Sequence, residues 1–205
     1  HVFDAGMVDR FGLSQVTTFA DIGGTAQALA LAAQARWDCD IVLVDMDARG
    51  RFPETESGWV APYRAALVDH GVPEARIRIV RTEAGLAPWD IVVNLGGFGD
   101  VARVRHLAPI LQRALHADSR LMIDARKGSG AFPFLKAYGS SEILSRKDDG
   151  GVEIARLLFT PAPPPEPASA DPEWATLARG LAGPDGFFRE GAGHSFLFIP
   201  RDPDT

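Results

Sequence analysis

The sequence predicts one three-layer α/β domain of the nucleotide-binding type over residues 17–160, built around a mostly parallel sheet. Three observations carry this. Short β-branched runs, such as residues 39–45 (CDIVLVD) and 89–95 (WDIVVNL), recur with helical stretches between most of them. Strands that alternate with helices are joined by right-handed crossovers, which lay helices on both faces of a parallel sheet. The last two runs have only Gly150-Gly151 between them and so pair as an antiparallel hairpin.

The elements follow in order. Residues 19–22 (FADI) are a short apolar run stopped by Gly23-Gly24. Residues 25–36 (TAQALALAAQAR) are Ala- and Leu-rich, with Thr25 placed to cap a helix. The run 39–45 reads as a strand buried on both faces. A loop at 46–57 leads to a helix at about 58–70, closed by Gly71 and Pro73. Residues 76–80 (RIRIV) alternate as a half-exposed edge strand does, and 89–95 are a second buried strand. A helix at about 101–116, a strand at 120–124 (RLMID), a short helix at 131–138, a strand at 142–144 and a strand at 152–160 (VEIARLLFT) complete the domain.

One link constrains the topology. Only residues 81–88 join the third strand to the fourth. Extended, they reach roughly 26–29 Å. That is enough to pass two intervening strands spaced ~4.8 Å apart, with little room for a helix.

The domain is assigned to residues 1–160. Residues 161–172 (PAPPPEPASADP) are Pro-rich and read as an extended linker. Residues 173–205 form an appendage, with a short helix at 174–181 and a hairpin at 187–199 turning at Gly191-Ala192-Gly193. This tail is too small for a core of its own, so it is expected to pack on the main domain or on a partner subunit, and a homodimer is one such arrangement.

Composition narrows the function. Apolar residues make up 46% and charged residues 23%, which suits a globular chain with a sizeable core. A net charge of -6 argues against nucleic acid as the main partner. Cys39 is the single cysteine, which excludes a disulfide framework and fits a reducing cytoplasm. No apolar run is long enough to cross a membrane, and the first residues lack a signal-peptide pattern.

Ligand chemistry in an open α/β sheet sits beyond the carboxyl ends of the strands, where strand order reverses. Gly23 and Gly24 let a backbone approach a ligand closely, or serve as a plain strand-to-helix turn. Neither G-x-G-x-x-G nor the P-loop pattern is present, which disfavours a nicotinamide-dependent oxidoreductase. Asp45 ends the second strand, where an acidic side chain accepts hydrogen bonds from ribose hydroxyls. Asp47 is a substitute for it, or a solvated loop carboxylate.

Asp21-x-Gly23, the acidic end at Asp45, Glu83-Ala84-x-x-Ala87-Pro88-Trp89-Asp90 and the closing hairpin together resemble a class I S-adenosylmethionine-dependent methyltransferase. The resemblance spans about residues 17–160. It implies a Rossmann-like fold of seven strands, mostly parallel, with an antiparallel strand in the closing hairpin. It also implies S-adenosylmethionine as cofactor, with Asp21, Gly23 and Gly24 at the methionine end, Asp45 at the ribose, Glu83 at the adenine edge and Asn94 by the reactive methyl. The family's acidic residue is followed by three alternating glycines. Here the second and third positions are Thr25 and Gln27, which would stand in for them at the cofactor.

Methyl transfer by displacement rests mostly on positioning, with a base needed only for an acceptor that loses a proton. His106, early in the helix after Asn94, is the candidate base, or else a surface or packing histidine; Asp100 is a natural cap for that helix. Arg126, Lys127 and Ser129 form a cationic, small-residue loop that would hold an anionic group of the acceptor, or form a solvated turn. Phe132, Phe134 and Tyr138 would wall an acceptor pocket, or pack a helix. The histidines have no metal-ligand spacing, and no G-x-S-x-G elbow is present. The expectation is a methyltransferase acting on a small molecule at oxygen. The alternative is a methyltransferase-like domain without catalysis that serves as a binding or assembly module.

Overall fold

The computed structural model describes residues 6–47, 50–96, 104–162, 187–191 and 194–198. The chain divides into two compact units, residues 1–161 and 162–205.

The first unit opens with α1 (Gly6–Asp9), a single turn to which the sequence pattern pointed nowhere. Val8, Phe11 and Val16 of this segment bury themselves against α2 (Gln27–Trp37), whose Leu29, Ala30 and Ala33 face inward. The small alanines on that face let the helix lie close on the sheet. Each fully buried large apolar side chain contributes on the order of 1.5–3 kcal/mol relative to exposure. Phe11, Phe19 and Leu29 are such residues.

The sheet has seven strands: β1 (Thr18–Ile22), β2 (Asp40–Val44), β3 (Ile77–Val80), β4 (Ile91–Asn94), β5 (Arg120–Arg126), β6 (Gly139–Asp149) and β7 (Val152–Pro161). Their spatial order is β3-β2-β1-β4-β5-β7-β6. The first five are parallel to one another, and β7 runs antiparallel between β5 and β6. Between strands come α3 (Val60–Asp69), α4 (Val104–Ala114) and α5 (Ala131–Tyr138). The link from β3 to β4 does pass two strands, β2 and β1, and holds only a 3-10 turn at Glu83–Gly85.

Two expectations are corrected. Thr25 does not cap α2: the N-cap position is Ala26, and no side chain at that position bonds the helix. The strand expected at 142–144 runs from Gly139 to Asp149, because every residue from Val152 to Pro161 offers a partner across the hairpin. Its side chains are mostly exposed and polar, so hydrophobic patterning carried no trace of its length. In the second unit, β8 (Phe187–Gly191) and β9 (His194–Phe198) form the expected antiparallel hairpin. The linker and the helix expected at 174–181 lie outside the described residues.

The amino ends of the central strands are tied together by Asp90, just before β4. Its Oδ2 accepts the Thr17 amide and hydroxyl, both at 2.7 Å, and the Thr18 amide at 3.0 Å. Its Oδ1 lies 3.2 Å from His116 Nε2. Burial alone would raise this carboxyl, but the bonds from Thr17, Thr18 and His116 outweigh it and hold the group below the ordinary carboxylate value. Asp90→Asn is therefore expected to cost about 1–3 kcal/mol in urea unfolding at neutral pH. A carboxyl depressed in the fold stabilises above its unfolded value, near ~4, and loses that contribution as pH falls through its folded one. The gap between variant and wild type should close as the pH is lowered through that range; a gap independent of pH would refute the role of the ionised form.

Candidate functional site at the strand carboxyl ends

β1 is the strand at which order reverses, with β2 on one side and β4 on the other. The residues at its carboxyl end meet those of its neighbours. Asp21, on β1, is fully buried. Its Oδ2 accepts the Tyr63 hydroxyl at 2.7 Å and the Ala26 amide at 2.8 Å, and its Oδ1 accepts the Thr25 amide at 3.3 Å. The carboxylate thus supplies from the strand the cap that α2 lacks at its own first position, satisfying amides that have no partner within the helix. Burial pushes its carboxyl up to about 6, against the opposing pull of Tyr63 and the loop amides.

Gly23 and Gly24 leave β1 with φ of +85° and +72°, a left-handed turn that favours glycine. The Gly23 amide donates to Val44 O at 3.1 Å. A Cβ on Gly24 would fall 2.2 Å from the Trp59 ring, so the indole lies directly on this glycine. Asn94, almost fully buried, donates from Nδ2 to Ile22 O at 2.7 Å. Leu95 N donates to Thr25 Oγ1 at 3.1 Å. The hydroxyl at the second family-glycine position therefore stitches the β1 turn to the end of β4, while Gln27 is the first residue of α2.

Asp45 follows β2 and is also fully buried. Its Oδ2 accepts the Ser57 amide at 3.0 Å and faces Arg81 Nε at 3.6 Å. Its Oδ1 has no hydrogen-bond partner among the described residues. Asp47 is taken up locally by Arg51, whose Nη2 lies 2.8 Å from Oδ2.

The other expected site residues make their described contacts with residues outside this group. Glu83 sits in the 3-10 turn of the β3–β4 link and pairs with Arg113 of α4 at 3.7 Å. Arg126 ends β5 and pairs with Asp149 at 3.7 Å. Lys127 is exposed, with Glu153 at 4.0 Å. Ser129 donates to Arg126 O and accepts the Ala131 amide, closing the turn into α5. Both cations are thus answered by carboxylates of the closing hairpin. His106 falls on α4, but its side chain lies outside the described residues, as do those of Phe132 and Phe134. Asp100 lies outside them altogether. Among the described residues, no group of three His, Cys, Asp or Glu side chains is placed to hold a metal. Cys39 is fully buried and its thiol is pushed up to about 12 by burial, which leaves it unreactive.

Several participants escaped the sequence reading. Tyr63 shares one helix face with Val60 and Leu67 and reads there as ordinary core. Ser57 came as a loop residue and Trp59 as the start of a helix, neither with a role. Asp124, at the end of β5, accepts Gly96 N at 3.1 Å and holds Arg156 through two bonds of 2.7 and 2.9 Å. An arginine inside the apolar run 152–160 was the available signal for that pair.

No protein-family model matches the sequence, and no curated protein matches it. Solved structures do. A precorrin-6y C5,15-methyltransferase from Geobacter metallireducens superposes with a TM-score of 0.52 at 15% identity, over 76% of this chain and 86% of its own. A putative S-adenosyl-L-methionine-dependent methyltransferase from Methanococcus maripaludis gives 0.52 at 16% identity, over 77% and 83%. The N-terminal domain of EvdMO1, solved with S-adenosylhomocysteine bound, gives 0.53 at 12% identity, over 77% and 79%. The chain has the class I methyltransferase fold. In that fold the buried group formed by Asp21, Gly23, Gly24, Asp45 and Asn94 occupies the switch point.

The Tyr63–Asp21 bond gives a pH-dependent prediction. The folded value of about 6 lies above the ordinary 3.8, so the fold holds a proton that the unfolded chain has released. Stability therefore falls as pH rises between the two. Tyr63→Phe removes a donor to the ionised form, so the Asp21 carboxyl should titrate above wild type in carbon-detected NMR. The variant should lose about 1–3 kcal/mol at neutral pH and distinctly less near pH ~4. Equal losses at both pH values would show that the hydroxyl does not act on the carboxylate.

Proposed function

We propose that this chain is an S-adenosylmethionine-dependent methyltransferase acting on a small molecule at oxygen. One observation carries the cofactor reading: Asp45, wholly buried at the carboxyl end of β2 beside the switch point, keeps one carboxylate oxygen without a partner among the described residues. An unanswered buried carboxylate oxygen costs free energy that a donated hydroxyl hydrogen bond recovers. A ribose hydroxyl fits it. The shared fold of proteins titled as S-adenosylmethionine-dependent or bound to S-adenosylhomocysteine supports the same cofactor.

In this reading Asp45 holds the ribose, while Asp21 keeps the Gly23-Gly24 turn in place through the Thr25 and Ala26 amides and does not itself bear the ligand's weight. Bound S-adenosylmethionine supplies an electrophilic methyl on a sulfonium, so the protein need only align the acceptor and exclude water. Asn94 fixes the end of β4 against β1. His106 is the group to which a hydroxyl acceptor would pass its proton; with the absence of an N-P-P-Y motif at Asn94, it favours oxygen. Glu83 at the adenine edge and Arg126, Lys127 and Ser129 as an anion-holding loop remain assignments by resemblance and by charge.

A second reading has its own observation. Thr25 ties the β1 turn to Leu95, and Ser57 already occupies Asp45, so the chain answers part of its own cleft. That favours a methyltransferase-like module without catalysis. Isothermal titration with S-adenosylhomocysteine, on wild type and Asp45→Ala, separates the two. Binding in wild type that is weakened at least tenfold in Asp45→Ala supports the enzyme. At a hundredfold excess of ligand over its dissociation constant, wild type should also gain ~2.7 kcal/mol of stability. No heat and no stabilisation in any form of the chain would favour the module.

A further inference from the structure

After β2 the chain folds back over the strand ends; Gly50 and Arg51 bond to Asp47 just before them, and beyond Arg51 few bonds hold the segment to the strands. Arg81 Nη2, from the end of β3, donates to Glu54 O at 3.3 Å. Ser57 N donates to Asp45 Oδ2 at 3.0 Å. The Trp59 ring lies on Gly24 and stands 5.9 Å from that of Tyr63. These contacts tie the segment 50–59 to the carboxyl ends of β1, β2 and β3. Arg51, Glu54, Thr55, Glu56 and Gly58 are themselves exposed and Phe52, Pro53 and Trp59 half-buried, so the apolar surface uncovered by lifting the segment is chiefly that beneath Trp59 and Phe52. Segments with few buried contacts and few backbone bonds open at low free-energy cost.

The bonding at Asp45 is one-sided. One oxygen takes an amide and a guanidinium that is 3.6 Å away; the other takes nothing among the described residues. A diol offers two hydroxyl donors to such a carboxylate, more than the chain supplies when closed. We propose that residues 50–59 are a latch: in the ligand-free chain Ser57 and Trp59 cover Asp45 and Gly24, and a nucleoside binds by displacing Ser57 from Asp45 with its ribose diol. The proposal rests on the cofactor reading above. Because only the unlatched fraction is competent, the apparent affinity is the intrinsic one reduced by that fraction.

Ser57→Pro tests this, since proline has no amide hydrogen to give Asp45; Arg81→Gln, which releases Glu54, serves if the first variant folds poorly by circular dichroism. S-adenosylhomocysteine is titrated calorimetrically into full-length wild type and variant, and amide exchange of peptides within 50–58 is followed in wild type with and without ligand. The latch predicts about tenfold tighter binding by the variant and faster exchange of 50–58 in the wild-type complex. Binding by the variant alone supports it equally. Equal affinities, with 50–58 as protected in the complex as without ligand, overturn the latch and leave the cofactor reading standing. Binding by no form of the chain removes the cofactor reading and the latch together.

Discussion

The Asp21 carboxylate is the group on which the arrangement of the carboxyl end depends. It sits in the central parallel strand, fully buried, and collects the Thr25 and Ala26 amides and the Tyr63 hydroxyl. Through the amides it starts α2; through the tyrosine it draws in α3. A buried carboxylate is tolerated only when its oxygens are answered, and here two donors come from the adjoining turn and one from α3, distant in sequence. The left-handed turn at Gly23-Gly24, the indole on Gly24 and the placement of Thr25 beside Leu95 all follow from holding that loop to β1.

The carboxylates at the strand ends are not all used in the same way. At the amino end, Asp90 is surrounded by donors from Thr17, Thr18 and His116, and the result is a closed joint between β1, β4 and the turn before β5. At the carboxyl end, Asp124 is likewise closed by Arg156 and Gly96. Asp45 differs. It is more deeply buried than either, yet one of its oxygens has no described partner and its cationic neighbour stands off at 3.6 Å. The fold thus closes the carboxylates of Asp90 and Asp124 and leaves one oxygen of Asp45 unanswered among the described residues, beside the switch point where an open α/β sheet binds ligands.

Much of this was legible in the sequence for a physical reason. Strands buried on both faces must be continuous apolar runs, so 39–45 and 89–95 announced β2 and β4, and the short link 81–88 announced the passage across two strands. Turn chemistry revealed both hairpins, since Gly150-Gly151 and Gly191-Ala192-Gly193 are turn residues standing between strand-like runs. The acids at strand ends, Asp21 and Asp45, followed from strand placement alone. By contrast β6 was seen as three residues, because an exposed edge strand has no apolar face to betray its length.

The sequence by itself determined that the link 81–88 can pass two strands, that the closing hairpin is antiparallel and which acids stand at strand ends, because those depend on local patterning and link length. Only the tertiary structure decided what each acid touches. Tyr63 looked like core until its hydroxyl met Asp21 from 42 positions away; Ser57 and Arg81 acquired meaning only by converging on Asp45 from different segments. Arg126 and Lys127 looked available until the hairpin brought Asp149 and Glu153 alongside. Periodicity records burial along one element, whereas hydrogen-bond partners are set by the approach of several, and no pattern within a single segment encodes that approach.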